Sequence, residues 1–122
     1  MNNYKELRVW QYSMDLTTEI YELLKSYPKE EKYNTADQIK RSSISIPINI
    51  AEGSGRKSPK EFIHFLSIAN GSCCELETLL ILSKNVHFIS EETLKNLSTK
   101  IETIKKMIKS LQYILNKPNK SD

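Results

Sequence analysis

The sequence of 122 residues contains 27% charged and 39% hydrophobic residues, three glycines and four prolines, which is typical of one globular domain. This length excludes a multidomain enzyme, and no apolar run approaches the roughly 20 residues needed to span a bilayer. The formal net charge is +3. The first residues lack the basic and apolar segments of a secretory signal, so we expect a cytoplasmic protein that does not contact a membrane.

Apolar residues recur at helical spacing along the whole chain, without the alternation typical of strands, so we predict an all-α fold. The first helix is predicted over about residues 7–26, because Pro28 prevents its continuation. The second helix is predicted over residues 35–54. Thr35 and Gln38 have the spacing of a capping box at its start, and two glycines end it.

The third helix is predicted over residues 58–84, because Ser58-Pro59 combines an N-cap hydroxyl with a proline at the first helical position. The fourth helix is predicted over residues 90–115, with Ser90 as its cap. Its apolar residues alternate spacings of three and four, as in bundle packing. Short connections make consecutive helices antiparallel, so we expect an up-down-up-down four-helix bundle in a single domain over residues 1–122.

A narrow polar stripe runs along the second helix between two rows of isoleucine. A stripe that faces solvent would not be flanked on both sides by isoleucines. We therefore predict that this stripe lies at a packing contact. The opposite side is predicted to face solvent and consists of Ala36, Lys40, Ser43 and Pro47. The stripe itself consists of Gln38, Arg41, Ser45, Asn49 and Glu52.

The third helix carries a second stripe roughly 140° from its core stripe. This second stripe consists of Ile68, Gly71, Glu75, Leu79 and Leu82. One bundle core cannot bury two apolar faces on each of two helices. We therefore predict a homo-oligomer in which the contact between subunits covers the apolar surface that the core leaves exposed. The alternative is a monomer whose core wraps widely around the third helix.

Polar groups at such a contact must be paired, because an unpaired buried group costs roughly 1–3 kcal/mol. We expect Arg41 to pair with Glu52 or Glu75, and the remaining polar groups to determine the register of assembly. The alternative is a catalytic pocket built on Arg41, Asn49, Glu52 and Glu75. Because no set of base, nucleophile and oxyanion donor is visible, we predict that the protein is not an enzyme.

The cysteines and histidines favour structural roles. Cys73 and Cys74 are adjacent and point about 100° apart on a helix, so they cannot readily form a disulfide or both face one ion. His64 and His87 lie on a helix and in a loop, without metal spacing. We therefore predict no metal and no cofactor.

Positive charge is concentrated near the end of the sequence. Residues 95–122, with Lys120 and Asp122 among them, carry a net charge of +5, whereas residues 1–94 carry −2. Such asymmetry indicates either a nucleic-acid partner or only a lysine-rich solvated helix face. The best nucleic-acid candidate is a stripe on which lysines could neutralise phosphates and a tyrosine could stack on an unpaired base. It consists of Lys95, Lys106, Lys109, Tyr113 and Lys117, and Glu102 interrupts it.

Short segments spread over the first three predicted helices share one pattern. They are Leu7, Val9-Trp10-Gln11, Gln38-Ile39-Lys40-Arg41, Ser45-Ile46, Asn49-Ile50-Ala51-Glu52-Gly53, Gly55-Arg56, Ala69-Asn70-Gly71-Ser72 and Glu75-Leu76-Glu77. This pattern resembles the bacterial four-helix-bundle family named for proteins encoded in intervening sequences of large-subunit ribosomal RNA genes. The resemblance covers nearly the whole chain, although Lys40 stands where many members carry a second arginine.

The resemblance implies a cytoplasmic helical bundle that assembles as a ring, commonly a pentamer. Related accessory variability proteins of diversity-generating retroelements engage reverse transcriptase and nucleic acid through a basic surface. The resemblance therefore implies RNA, DNA or a reverse transcriptase as a partner. We assign the polar positions of the pattern to a structural network, which consists of Gln38, Arg41, Ser45, Asn49, Glu52, Arg56 and Glu75.

We therefore expect a non-enzymatic homo-oligomer that binds nucleic acid, or a nucleic-acid-processing partner, through a basic surface. The alternative function is a purely structural or protein-interaction scaffold without a nucleic-acid role. Glu75→Ala should weaken stability or assembly more than Lys109→Ala does. Lys109→Ala combined with Lys106→Ala should weaken nucleic-acid binding more than Glu75→Ala does.

Overall fold

The computed structural model describes residues 3–118, so Lys120 and Asp122 of the basic segment lie outside the described range. Within that range the protein has four long α-helices and no strand, as predicted for an all-α fold. Single-turn 3-10 helices at Tyr4–Glu6 and Lys29–Glu31 precede the first two long helices. The long helices are α1 (Arg8–Leu24), α2 (Thr35–Ser54), α3 (Pro59–Asn85) and α4 (Glu91–Leu115).

Serine side chains cap the starts of α3 and α4, as predicted. The Ser58 hydroxyl accepts the Glu61 backbone N–H at 3.2 Å, and the Ser90 hydroxyl accepts the Thr93 backbone N–H at 3.0 Å. Each bond satisfies one of the amide groups that have no partner within a first helical turn. Both helix starts are therefore determined by local sequence.

The start of α2 differs from the predicted capping box. Asn34 is the N-cap residue and makes no side-chain cap bond, while Thr35 is the first helical residue. The Thr35 backbone N–H donates to the Glu31 carboxylate at 3.4 Å. The 3-10 turn before α2 brings this carboxylate to the helix start, where negative charge is favourable.

One hydrophobic core lies between the four helices, an arrangement consistent with a four-helix bundle. The helices contact each other in the cyclic order α1, α2, α3, α4, and the contact between α2 and α3 is the most extensive. Burying one large aliphatic side chain contributes about 1.5–3 kcal/mol. The fully buried aliphatic side chains are Leu16, Ile20, Ile39, Ile46, Ile50, Leu66, Leu76, Leu80, Ile101, Ile104 and Ile108.

The side of α2 that was predicted to face solvent packs against α1, so that prediction was wrong. Ala36, Ser43 and Pro47 are buried, and only Lys40 is exposed. Pro47 has no N–H to donate to the Ser43 carbonyl. The Thr17 hydroxyl of α1 lies 3.0 Å from that carbonyl and 2.8 Å from the Ser13 carbonyl of its own helix, so its proton is shared between the two acceptors. A hydrogen bond between helices therefore replaces the bond that proline removes within α2.

Gly53 determines how closely the end of α2 approaches the start of α3. A Cβ at this position would lie 2.7 Å from the Phe65 Cβ and 2.8 Å from the Phe62 ring. These distances are shorter than van der Waals contact. Only glycine therefore allows the two helices to meet as they do.

By length and composition alone, α3 is the one helix within residues 3–118 that could cross a membrane. The core helix of a soluble protein meets the same criterion. Here one side of α3 is buried in the core through residues such as Phe62, Leu66 and Leu80. The apolar sequence of α3 also contains two charged residues, Glu75 and Glu77.

Candidate nucleic-acid interface

Four of the five residues predicted to bind nucleic acid surround one shallow groove near the end of α4. Lys106, Lys109, Tyr113 and Lys117 line this groove, whose volume is about 670 Å³. Their spacings of three and four residues keep the side chains on one side of the helix. We call this surface the α4 groove.

Lys95, the fifth predicted residue, does not line the α4 groove. It is exposed near the start of α4, and at 1.5 Å per residue it lies about 16 Å along the helix axis from Lys106. The common stripe places the two lysines on the same side of α4 but not at the same level.

Two further depressions adjoin the α4 groove. One, of about 400 Å³, lies between α4 and the start of α1, where Arg8 adds a cation. The other, of about 420 Å³, lies between α4 and α3. There the Gln112 amide donates to the Ile63 carbonyl at 3.1 Å and to the Ser67 hydroxyl at 3.0 Å. Arg8 could not be predicted as part of this surface, because α1 and α4 come together only on folding.

The charged residues that line the α4 groove are all cationic. No carboxylate lines the groove or the two adjoining depressions within residues 3–118. In the same range Arg8, Lys106, Lys109 and Lys117 form no ion pair. The Lys117 ammonium lies 5.1 Å from the centroid of the Tyr113 ring, which is 68% exposed. The surface thus combines cations with an accessible aromatic face.

Part of the polar stripe on α2 joins this helix to α3. The Ser45 and Ser72 hydroxyls are 2.7 Å apart, and the Asn49 amide donates to the Ser45 carbonyl at 2.8 Å. These groups satisfy one another at the contact between the two helices. Gln38, at the other end of the stripe, is exposed.

The charged residues of the stripe pair differently from the prediction. Arg41 Nε donates to the Asp37 carboxylate at 2.9 Å, and the Glu52 carboxylate accepts from Arg56 at 2.9 Å. Over the described residues, the expected pair of Arg41 with Glu52 or Glu75 does not form. Asp37 and Arg41 are neighbours one turn apart, whereas Glu52 lies three turns beyond Arg41. These side chains therefore do not converge on one site.

Apolar side chains on the outer sides of α2 and α3 are uncovered in the single chain. Ile48 of α2 is 54% exposed, while Ile68 and Leu82 of α3 are 40% and 52% exposed. Between these two α3 residues, a Cβ added at Gly71 would meet no atom within 4 Å. We call Ile68, Gly71, Glu75 and Leu82 the outer face of α3.

An apolar groove also runs between α1 and α2. Its volume is about 410 Å³, and Trp10, Met14, Ile44 and Ile48 are among the residues that line it. Ile48 connects this groove with the polar stripe of α2. Like the outer face of α3, the groove exposes apolar surface that the core of the chain does not use.

The two cysteines differ although they are adjacent. Cys73 is buried and Cys74 is exposed, and both are free thiols. Burial, together with the nearby Cys74, raises the pKa of the Cys73 thiol to about 12. Between residues 3 and 118, no group of three or more histidine, cysteine or acidic side chains is placed to hold a metal ion.

Comparison with known proteins gives a family match over most of the chain. A family model described as 23S rRNA-intervening sequence protein matches residues 5–110. The chain is also similar to a solved structure from Bacteroides thetaiotaomicron, a protein of unknown function from the S23 ribosomal protein family. The TM-score is 0.79 at 30% sequence identity, covering 85% of this chain and 97% of that chain. No curated protein matches the chain. Tyr113 and Lys117 of the α4 groove lie beyond the residues that the family model matches.

Proposed function

The chain belongs to the family of 23S rRNA-intervening sequence proteins, and on this premise we propose that it is a non-enzymatic homo-oligomer that binds RNA or DNA through the α4 groove. A reverse transcriptase carrying its nucleic acid would present the same phosphates to this surface. One observation carries the proposal: four cations and an exposed tyrosine surround a surface that no carboxylate of residues 3–118 lines.

Binding through this surface would be electrostatic and strongly dependent on salt. Each phosphate that a lysine or arginine neutralises releases a counterion. Arg8, Lys106, Lys109 and Lys117 could neutralise up to four phosphates. For a single strand, the slope of log affinity against log salt would then be about −3. Tyr113 could add about 1–3 kcal/mol by stacking on an unpaired base.

Fluorescence anisotropy with a labelled single-stranded RNA at about 50 and about 200 mM salt tests this proposal. We expect Lys106→Ala combined with Lys109→Ala to lower the affinity at least about tenfold and to make the salt slope shallower by about one unit or more. Tyr113→Leu should lower the affinity without changing the slope, because it removes stacking and no charge.

Lys95→Ala is the matched control for the α4 groove, because it removes the same charge from the same helix at a distance from the groove. It should change the affinity less than about twofold. If Lys95→Ala lowers the affinity as much as Lys106→Ala alone does, only net charge affects binding. That result would contradict binding through the α4 groove. If the native protein has no salt-dependent affinity, the scaffold without a nucleic-acid role is favoured.

We further propose that copies of the chain associate through the outer face of α3 and the apolar groove between α1 and α2. Soluble monomers rarely expose large apolar patches, and both surfaces carry apolar side chains that are exposed in the single chain. Glu75 lies on the same side of α3 as Ile68 and Leu82, so a second chain would supply its partner. A ring, with the pentamer as the expected state, would repeat the α4 groove once per subunit and increase its avidity.

Two contacts support an up-down-up-down order of the helices in each subunit. Gln112, near the end of α4, donates to the Ile63 carbonyl near the start of α3. Arg8, at the start of α1, lines the same depression as Ile114, near the end of α4. Short connections between long helices favour the same antiparallel order.

The mass in solution tests the assembly. At micromolar concentration, light scattering should give a multiple of the 14.1 kDa chain mass, with fivefold as the expected value. Glu75→Ala should shift the mass towards smaller species, whereas Lys109→Ala, as the control, should not. A native particle of 14.1 kDa would contradict the proposed association.

A further inference from the structure

A second cationic region lies at the end of α1, far from the α4 groove. It is a cleft of about 370 Å³ between the end of α1, the following 3-10 turn and the start of α2. Lys25, Lys29, Lys32 and Lys40 line it, and no carboxylate of residues 3–118 does. Its volume falls within the roughly 300–1,000 Å³ range of small-molecule pockets. We call it the lysine cleft.

The charges of the lysine cleft are available to a ligand. Within residues 3–118, Lys29, Lys32 and Lys40 form no ion pair. Lys25 contacts Glu22 at 3.4 Å, but both side chains are about three-quarters exposed. An exposed pair of this kind contributes little, so the Lys25 ammonium can turn towards an anion.

Two acidic residues of the same segment are engaged elsewhere, and a third, Glu30, does not line the cleft. The Glu31 carboxylate accepts the Thr35 backbone N–H at 3.4 Å. The Asp37 carboxylate accepts from Arg41 at 2.9 Å. Neither carboxylate lines the cleft, so its positive potential is not cancelled from within.

Aromatic and apolar side chains form the rest of the lysine cleft. Tyr21 is 46% exposed, and the Lys40 ammonium lies 5.4 Å from the centroid of its ring. Tyr27 is only 7% exposed and packs against Phe88, with 5.5 Å between ring centroids. Pro28 also lines the cleft. The cleft therefore offers a buried floor and an exposed ring beside several ammonium groups.

We propose that the lysine cleft binds a nucleoside triphosphate, with its phosphates on Lys29, Lys32 and Lys40 and its base against Tyr21. Lysine ammonium groups are phosphate ligands, and four of them match the charge of a triphosphate. Tyrosine provides a stacking surface for any base. The cleft is more enclosed than the α4 groove, which suits a single small ligand better than a passing strand. The site does not depend on the proposed nucleic-acid function.

Isothermal titration of the full chain with ATP, in EDTA at constant ionic strength, tests this proposal. Tripolyphosphate and adenosine are titrated in parallel. We expect ATP to bind once per chain, tripolyphosphate to bind about tenfold more weakly, and adenosine to give no measurable heat. Tyr21→Leu should remove the difference between ATP and tripolyphosphate. Lys29→Gln, Lys32→Gln and Lys40→Gln should each weaken ATP binding about two- to fivefold.

Lys57→Gln combined with Lys60→Gln is the matched control, because the exposed Lys57 precedes α3 and the exposed Lys60 lies in its first turn, away from the cleft. This control should leave ATP binding unchanged, and thermal unfolding should show that all variants remain folded. The proposal is overturned if the native chain does not bind ATP at millimolar concentration. It is also overturned if tripolyphosphate binds as tightly as ATP, or if the three cleft variants match the control.

Discussion

Two glycines of this chain lie in opposite surroundings. At Gly53 an added Cβ would meet the Phe65 Cβ at 2.7 Å, whereas at Gly71 it would meet nothing within 4 Å. Gly53 permits the closest approach of α2 to α3. Gly71 lies mid-helix, where glycine is destabilising by roughly 0.5–1 kcal/mol relative to alanine, with no packing gain inside the chain. The contact between α2 and α3 is therefore closed tightly, whereas the outer face of α3 is open at Gly71 in the single chain.

The closed contact at Gly53 predicts the largest loss of stability. Gly53→Ala should lower the free energy of unfolding by about 3 kcal/mol, because the Phe65 Cβ is attached directly to the backbone and cannot move without α3. Urea unfolding followed by circular dichroism measures the change. Gly55→Ala is the control, since its Cβ would meet only carbonyl oxygens at 3.6 Å or more. Similar small effects for both variants would contradict a tight contact.

A specific hydrogen bond should stabilise the contact between α1 and α2. Thr17→Val should lower the free energy of unfolding by about 1–2 kcal/mol, because it leaves the Ser43 carbonyl buried without its donor. Thr18→Val is the matched control, since the Thr18 hydroxyl is exposed and bonds only within α1, to the Met14 carbonyl. Chemical unfolding of the two variants side by side measures the difference. If both change equally, the bond to Ser43 has no special role.

Burial on the inner side of α3 should make the stability depend on alkaline pH. The pKa of the Cys73 thiol is raised from 9.0 to about 12. A raised pKa favours the protonated thiol in the folded state. Its contribution is therefore complete below pH 9 and is lost as the pH rises from 9 towards 12. From pH 8 to pH 10 we expect this thiol to lower the free energy of unfolding by roughly 1 kcal/mol.

Urea unfolding at the two pH values measures that loss. It should be smaller in Cys73→Ala than in the native chain, while the exposed Cys74→Ala should behave like the native chain. Burial also raises the pKa of Tyr27, so the comparison of variants, rather than the native profile alone, isolates the thiol. Equal slopes for all three proteins would show that Cys73 ionises freely.

A substitution on the outer face of α3 should give the smallest change in stability. This change should be an increase, whereas the substitutions above lower the free energy of unfolding. Gly71→Ala should raise the free energy of unfolding of the subunit by about 0.5–1 kcal/mol, because alanine restricts the unfolded chain and meets no atom when folded. If a second chain packs closely on the outer face of α3, the same methyl group should reduce the mass measured by light scattering. Thr99→Ala, on the exposed surface of α4, is the control and should leave the mass unchanged.

Much of the fold follows from local rules and could be predicted. Ser58 and Ser90 place a hydroxyl where a helix start needs an acceptor. The regular apolar spacing of α4 places Ile101 and Ile104 in the core. The pairing of Arg41 could also have been predicted, because Asp37 lies one turn before it. The expectation that Arg41 pairs with the more distant Glu52 or Glu75 was therefore wrong.

The environment of α2 could not be read from its own helical pattern. Small residues such as Ala36 and Ser43 are found on solvated faces and also where another helix approaches closely. Only the position of α1 decides between these two cases. The α4 groove shows a similar limit: a stripe defines direction around a helix axis but not distance along it. Lys95 was therefore included with Lys106, and Arg8, which α1 brings to the depression beside the groove, was missed.

The proline in α2 has a consequence for how the chain acquires its structure. Pro47 leaves the Ser43 carbonyl without a partner inside its own helix, and the Thr17 hydroxyl of a different helix supplies one. A peptide of α2 alone would lack both the Thr17 donor and the surface that α2 buries in the protein. Such a peptide should remain largely non-helical in water. The first two helices are therefore expected to become ordered together, as a single cooperative hairpin.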